Sequence, residues 1–130
     1  MLLRPTTPLR DKLILIDAIA LFRARLVADS LRSIQKLPEP PEKYARLDSH
    51  GFLRGIGHDF KLSQMDLPKE IWEPAYKPNG YIDIIRRRVL EQGSLYGQDI
   101  LGYETPPVVE VDSPEELEFL RWKVEHGHRT

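Results

Sequence analysis

The apolar positions change their spacing along the chain, and each change marks an expected element. Leu15, Ile19, Phe22 and Leu26 recur at the three-to-four spacing of one helical face, which predicts a helix over 11–26. Apolar residues then alternate loosely with polar ones over 29–35, a short strand. Pro38, Pro40 and Pro41 break regular structure. Two β-rich runs, 44–48 and 52–56, flank Ser49-His50-Gly51 and predict a hairpin. Residues 58–78 are rich in proline and charge and read as an irregular segment, a length that inside a domain goes with function or with a partner. A strand is expected over 81–85 after a Pro78-Asn79-Gly80 turn, then a short helix over 86–92 ended by Gly93. Strands follow over 99–103 and 108–111. Ser113, Pro114 and Glu116 form the signature of a capped helix start, with Leu117, Leu120 and Val124 as its apolar stripe. Strands alternating with helices predict an α/β layered fold. Leu2 and Leu3 read as the end of a further strand before a loop stiffened by Pro5 and Pro8.

Composition narrows the chemistry. The chain has 130 residues, enough for one domain with a real core. A net charge of −1 gives no electrostatic footprint for nucleic acid or a membrane surface. With no cysteine, disulfides, zinc-thiolate sites and thiol nucleophiles are excluded, which fits a cytoplasmic protein. No apolar run approaches the ~18 residues of a membrane span, and no signal peptide is recognisable.

Three stretches carry candidate chemistry. In Val-Val-Glu-Val-Asp-Ser, Glu110 and Asp112 are two apart on an expected strand, so both carboxylates face one side at its C-terminal end. Mg²⁺ would relieve their repulsion, and it completes its shell with water and phosphate oxygens. The alternative is that they are solvated acids favouring the dipole of the following helix. In Tyr-Lys-Pro-Asn-Gly, Asn79-Gly80 makes a turn, or Lys77 faces an anion while the Asn79 amide fixes a polar ligand. In Arg-Pro-Thr-Thr-Pro-Leu-Arg, Thr6 and Thr7 offer hydroxyls, and Arg4 or Arg10 suits phosphate or carboxylate. The alternative there is a stiff loop with capping threonines. Arg86-Arg87-Arg88 reads as a solvated helix face, Trp72 and Trp122 as packing residues, and His126-Gly-His128 as no metal site.

In this order the segments resemble those of the CMP-N-acylneuraminate synthetases (acylneuraminate cytidylyltransferases). That family carries Leu-Gln-Pro-Thr-Ser-Pro-Leu-Arg, a helix, and an Asp-Ser-Val-Val-Ser-Val strand. Here these read LLRPTTPLR, a helix, and DSLRSIQ. Its Asp-Leu-Pro element, Arg-Pro-Asn-Gly segment and Asp-Ile-Asp-Thr before a helix correspond to MDLPK, YKPNG and EVDSPEEL. The resemblance spans nearly the whole chain.

The resemblance implies a partial Rossmann-like nucleotidyltransferase, a mixed sheet with flanking helices. A β-hairpin dimerisation arm would occupy about residues 44–73. The implied reaction transfers CMP from CTP to the anomeric hydroxyl of a nine-carbon 2-keto acid sugar, releasing pyrophosphate. Glu110 and Asp112 would hold Mg²⁺, with Asp112 also orienting or deprotonating the hydroxyl. Arg4, Thr6, Thr7, Lys77, Asn79 and Tyr96 would line the sugar pocket, with Arg10 structural. The departures are specific. Arg4 replaces a glutamine, Lys77 an arginine, and Glu110 an aspartate, while Asp83 stands where an aromatic usually lies near the sugar. The family's N-terminal strands and its Ala-Arg-Gly-Gly-Ser-Lys type loop, which holds CTP, have no counterpart here. A truncated, split or mis-started gene is therefore expected, along with a weakly folded or associating chain. A homodimer or a complementing N-terminal chain is the expected partner. Two other readings stay open: a catalytically incomplete fragment that binds sugar or dimerises, and an unrelated α/β interaction module.

Overall fold

The computed structural model describes residues 1–56 and 61–127. The chain divides into two compact units, Met1–Gln35 with Pro78–Thr130, and Lys36–Lys77.

In the first unit, helix α1 spans Lys12–Ala24. Asp11 caps it, its carboxylate accepting from the Leu13 N–H at 2.7 Å. Its inner face buries Ala18 and Phe22 against Leu31, Tyr81 and Ile82, which form the core. Leu26, expected on that face, lies past the helix end and is 75% exposed. The helix stops early because Arg25 leaves helical geometry. Arg86 serves the last turn and the loop after it, donating to the carbonyls of Phe22 at 3.4 Å, Arg25 at 2.9 Å and Ala28 at 2.7 Å. The same guanidinium lies 4.5 Å from the centre of the Phe22 ring. Arg86 is thus a helix cap, not part of a solvated arginine face.

Strand β1 runs Ser30–Lys36. A hairpin follows, built from β2 (Ala45–Leu47) and β3 (Leu53–Gly55). Then come β4 (Tyr76–Ile85), the short helix α2 (Arg87–Glu91), β5 (Ile100–Glu104) and α3 (Pro114–Glu125). The main sheet is mixed, in the order β4-β1-β5, with β1 and β5 parallel from Ser30↔Ile100 to Ile34↔Glu104. The fold is therefore α/β, as the alternation of elements predicts. Leu2 forms one antiparallel bridge with Asp83, the trace of the N-terminal strand expected there. Residues 108–111, expected as a strand, form none. The Val111 N–H instead donates to the Thr6 carbonyl at 2.8 Å, so a loop takes the place of a neighbouring strand.

β4 starts earlier than expected and contains the Asn79-Gly80 pair. The Asn79 amide makes this possible. It is buried, donating to the Thr105 hydroxyl at 2.7 Å and accepting from the Tyr81 N–H at 3.2 Å. Gly80 takes φ 66°, and a Cβ there would lie 2.7 Å from Arg4 Cδ.

In the second unit, β2 and β3 pair antiparallel as predicted, Ala45↔Gly55 to Leu47↔Leu53. Two 3-10 turns, Leu62–Asp66 and Lys69–Ile71, lie in the segment expected to be irregular; residues 58–60 of that segment lie outside the described residues. The Lys43 ammonium donates to the Met65 carbonyl at 3.0 Å. A cavity of about 370 Å³ is lined by Leu37, Pro38, Pro40, Trp72 and Pro74, with Lys36 beside it. Trp72 packs as expected, half-buried.

Arg86→Ala should lower stability by about 1 kcal/mol, because the part-buried Ala28 carbonyl loses its donor and the Phe22 ring loses its cation contact. Urea unfolding measures this. An unchanged midpoint would show that α1 ends without this cap.

Candidate functional site

The N-terminal loop is fixed to β4 by backbone accounting. The Thr7 N–H closes a turn onto the Arg4 carbonyl at 3.2 Å. The Arg10 guanidinium donates to the carbonyls of Arg4 at 2.7 Å and Tyr81 at 2.8 Å. It is partly buried, which lowers its pKa below the ordinary arginine value. Arg10 is structural, in keeping with its expected role. The Leu2 N–H donates to the Asp83 carbonyl at 2.7 Å, and the Asp83 N–H donates back at 3.1 Å.

Beside this loop the strands enclose a carboxylate. Asp83 is 1% exposed. Its neighbour on β1, Arg32, donates from Nε to Oδ1 at 3.3 Å. Arg4 places an Nη 3.9 Å from Oδ2. The Tyr96 hydroxyl lies 3.4 Å from Oδ2, and its ring lies 4.1 Å from the Arg32 guanidinium carbon. The Tyr96 carbonyl accepts from the Ser30 hydroxyl at 2.7 Å, which fixes the loop that carries it. A buried carboxylate stays charged at tolerable cost only when such partners surround it.

The expected site residues are distributed as follows. Arg4 and Tyr96 meet at Asp83. Thr6 is exposed and bonded through its carbonyl to Val111, which brings the threonine loop next to the Glu110–Asp112 segment. Thr7 is buried, and its hydroxyl has no partner among the described residues. The Asn79 amide is turned inward onto Thr105, whose own hydroxyl donates to the Pro106 carbonyl at 3.0 Å. Lys77 is exposed and belongs to the other unit. His126 stacks on Trp122, itself half exposed; His128 lies outside the described residues.

Glu110 is half-buried and Asp112 exposed, but they sit in irregular chain, so strand alternation does not put them on one face. No group of three or more His, Cys, Asp or Glu able to hold a metal exists among the described residues. Two carboxylates alone are a donor set that suits Mg²⁺ when water and substrate phosphates supply the remaining oxygens. The nearby Glu116 is otherwise engaged, accepting from the N–H groups of Asp112 at 2.7 Å and Ser113 at 2.9 Å in the predicted capping box.

Arg32 is the participant that the hydrophobic pattern misses. A signal was present at its partner: Asp83 is a charge inside the otherwise apolar Tyr81–Ile85 run, and a charge there needs a counter-charge.

The Glu116 carboxyl is held below its ordinary pKa of 4.5, first by the Asp112 N–H. A depressed carboxyl stabilises the fold above its unfolded value and ceases to do so as pH falls through its folded value. Circular dichroism should therefore show helix loss from α3 on acidification below that range, and Glu116→Gln should flatten this step. An identical acid profile in the variant would assign the step to other groups. No known family model matches the chain, and no curated protein matches it.

Proposed function

We propose that the chain handles an acidic nine-carbon 2-keto sugar in a cytidylyl transfer of the sialic-acid type. The reading draws on the motif order of the sequence. The single observation that supports it most is convergence: Arg10 ties the threonine loop to Gly80 and Tyr81, and Thr6 ties that loop to Val111. Three segments far apart in sequence thus border one region. A parallel β1–β5 pair carrying a helix is compatible with part of a Rossmann-like sheet.

In this proposal the half-exposed Arg4 guanidinium meets the sugar acid, and Tyr96 limits the space beside it. The Thr6 hydroxyl donates to sugar oxygens. Asp112, exposed ahead of α3, orients the anomeric hydroxyl and accepts its proton as the oxygen attacks the α-phosphorus of CTP and pyrophosphate leaves. Glu110 and Asp112 would hold Mg²⁺, which offsets phosphate charge when bound. The hairpin unit serves as a dimerisation arm in a cytoplasmic homodimer. The exposed Phe52, Leu47 and Leu53 on that hairpin favour association. A second reading is sugar binding or dimerisation without turnover.

Pyrophosphate release with CTP, Mg²⁺ and a panel of nine-carbon sugar acids separates the two. The main reading expects release that depends on both substrates and falls about a hundredfold in Asp112→Asn. Calorimetric binding of a sugar acid without release selects the second reading. Neither binding nor release removes both.

A further inference from the structure

Asp83 brings two cations together but can neutralise only one. Arg32 and Arg4 contribute two positive charges against one carboxylate, leaving one positive charge uncompensated. Arg32 uses only Nε toward Asp83, and its terminal nitrogens make no hydrogen bond to the described residues. Its guanidinium carbon lies 4.1 Å from the Tyr96 ring centre while its Nε edge meets the carboxylate. Arg4 sits at 3.9 Å, beyond hydrogen-bond range, and its side chain is 47% exposed against 21% for Arg32. The oxygens of Asp83 are enclosed, so its negative charge is not presented to solvent. The result is an enclosed guanidinium beside a half-exposed one, both with N–H groups unbonded among the described residues and with one unit of charge to balance.

We infer that Arg4 and Arg32, seated on Asp83, form a receptor for one carboxylate group of a small organic acid. A guanidinium edge matches a carboxylate through two parallel N–H···O bonds, and a monoanion balances the cluster. Arg32 orients the acid, while Arg4 closes over it from the N-terminal loop. The receptor shares Arg4 with the proposed transfer site, but it needs neither nucleotide nor metal, and its test involves neither.

The test uses the whole chain, labelled with nitrogen-15, and follows the arginine Nε–Hε resonances. Sodium acetate is titrated against sodium chloride at matched ionic strength, with inorganic phosphate as a third titrant. Acetate should shift the Arg4 and Arg32 signals saturably where chloride does not. Arg4→Gln, at a half-exposed position, should weaken acetate binding about tenfold or more while the rest of the spectrum stays in place. Arg32→Lys keeps Asp83 paired but removes the planar fork, and should weaken acetate to a similar extent. Acetate shifts no larger than those of chloride, or undiminished binding in both variants, would overturn the receptor. Saturation by phosphate without saturation by acetate would overturn the carboxylate assignment.

Discussion

A carboxylate shut inside a sheet constrains everything around it. Asp83 sits on β4 with almost no solvent contact, where an unpaired charge costs several kcal/mol. That cost disappears only if β1 brings Arg32 alongside, the N-terminal loop brings Arg4, and the segment before β5 brings Tyr96. The backbone of the same residue exchanges both its hydrogen bonds with Leu2. One side chain therefore makes the pairing of β4 with β1, the course of the N-terminal loop and the position of the 94–99 turn depend on one another. At that turn, Gly97 takes φ 76°, and a Cβ would lie 2.5 Å from Asp29.

The arginines divide by what they accept as partners. Arg86 and Arg10 are directed at carbonyls and fasten the end of α1 and the N-terminal loop. Arg88 and Arg87 pair with Asp29 and Glu91 near the surface, where such pairs contribute little. Arg32 and Arg4 share a single carboxylate, which leaves one positive charge between them unbalanced. That shared, enclosed carboxylate sets them apart from the conspicuous Arg86-Arg87-Arg88 run.

Local signals were legible in the sequence wherever local chemistry decides the structure. The Ser113–Glu116 box names its own helix start, and the hairpin follows from two β-rich runs around Gly51. Failures occurred where a distant partner overrides the local pattern. Pro78-Asn79-Gly80 looks like a turn, yet a buried amide bond from Asn79 to Thr105 keeps the pair within β4. The valines of 108–111 look like a strand, but their segment bonds to the threonine loop instead of a sheet. Within the site, motif order pointed to Arg4 and Tyr96. Arg32 stayed hidden because spacing alone does not show which buried charge faces which. The meeting of Arg4, Arg32 and Asp83 is a property of strand order and loop path.

Whether Asp83 and Arg32 act as a unit is measured by a double-mutant cycle on folding stability. Asp83→Asn, Arg32→Gln and the double variant would be unfolded in urea beside the parent chain. A coupling energy on the order of 1–3 kcal/mol is expected, with the double variant less damaged than the sum of the singles, since each single change strands the other charge. Additive costs, agreeing to within about 0.5 kcal/mol, would contradict it and reduce the cluster to independent side chains.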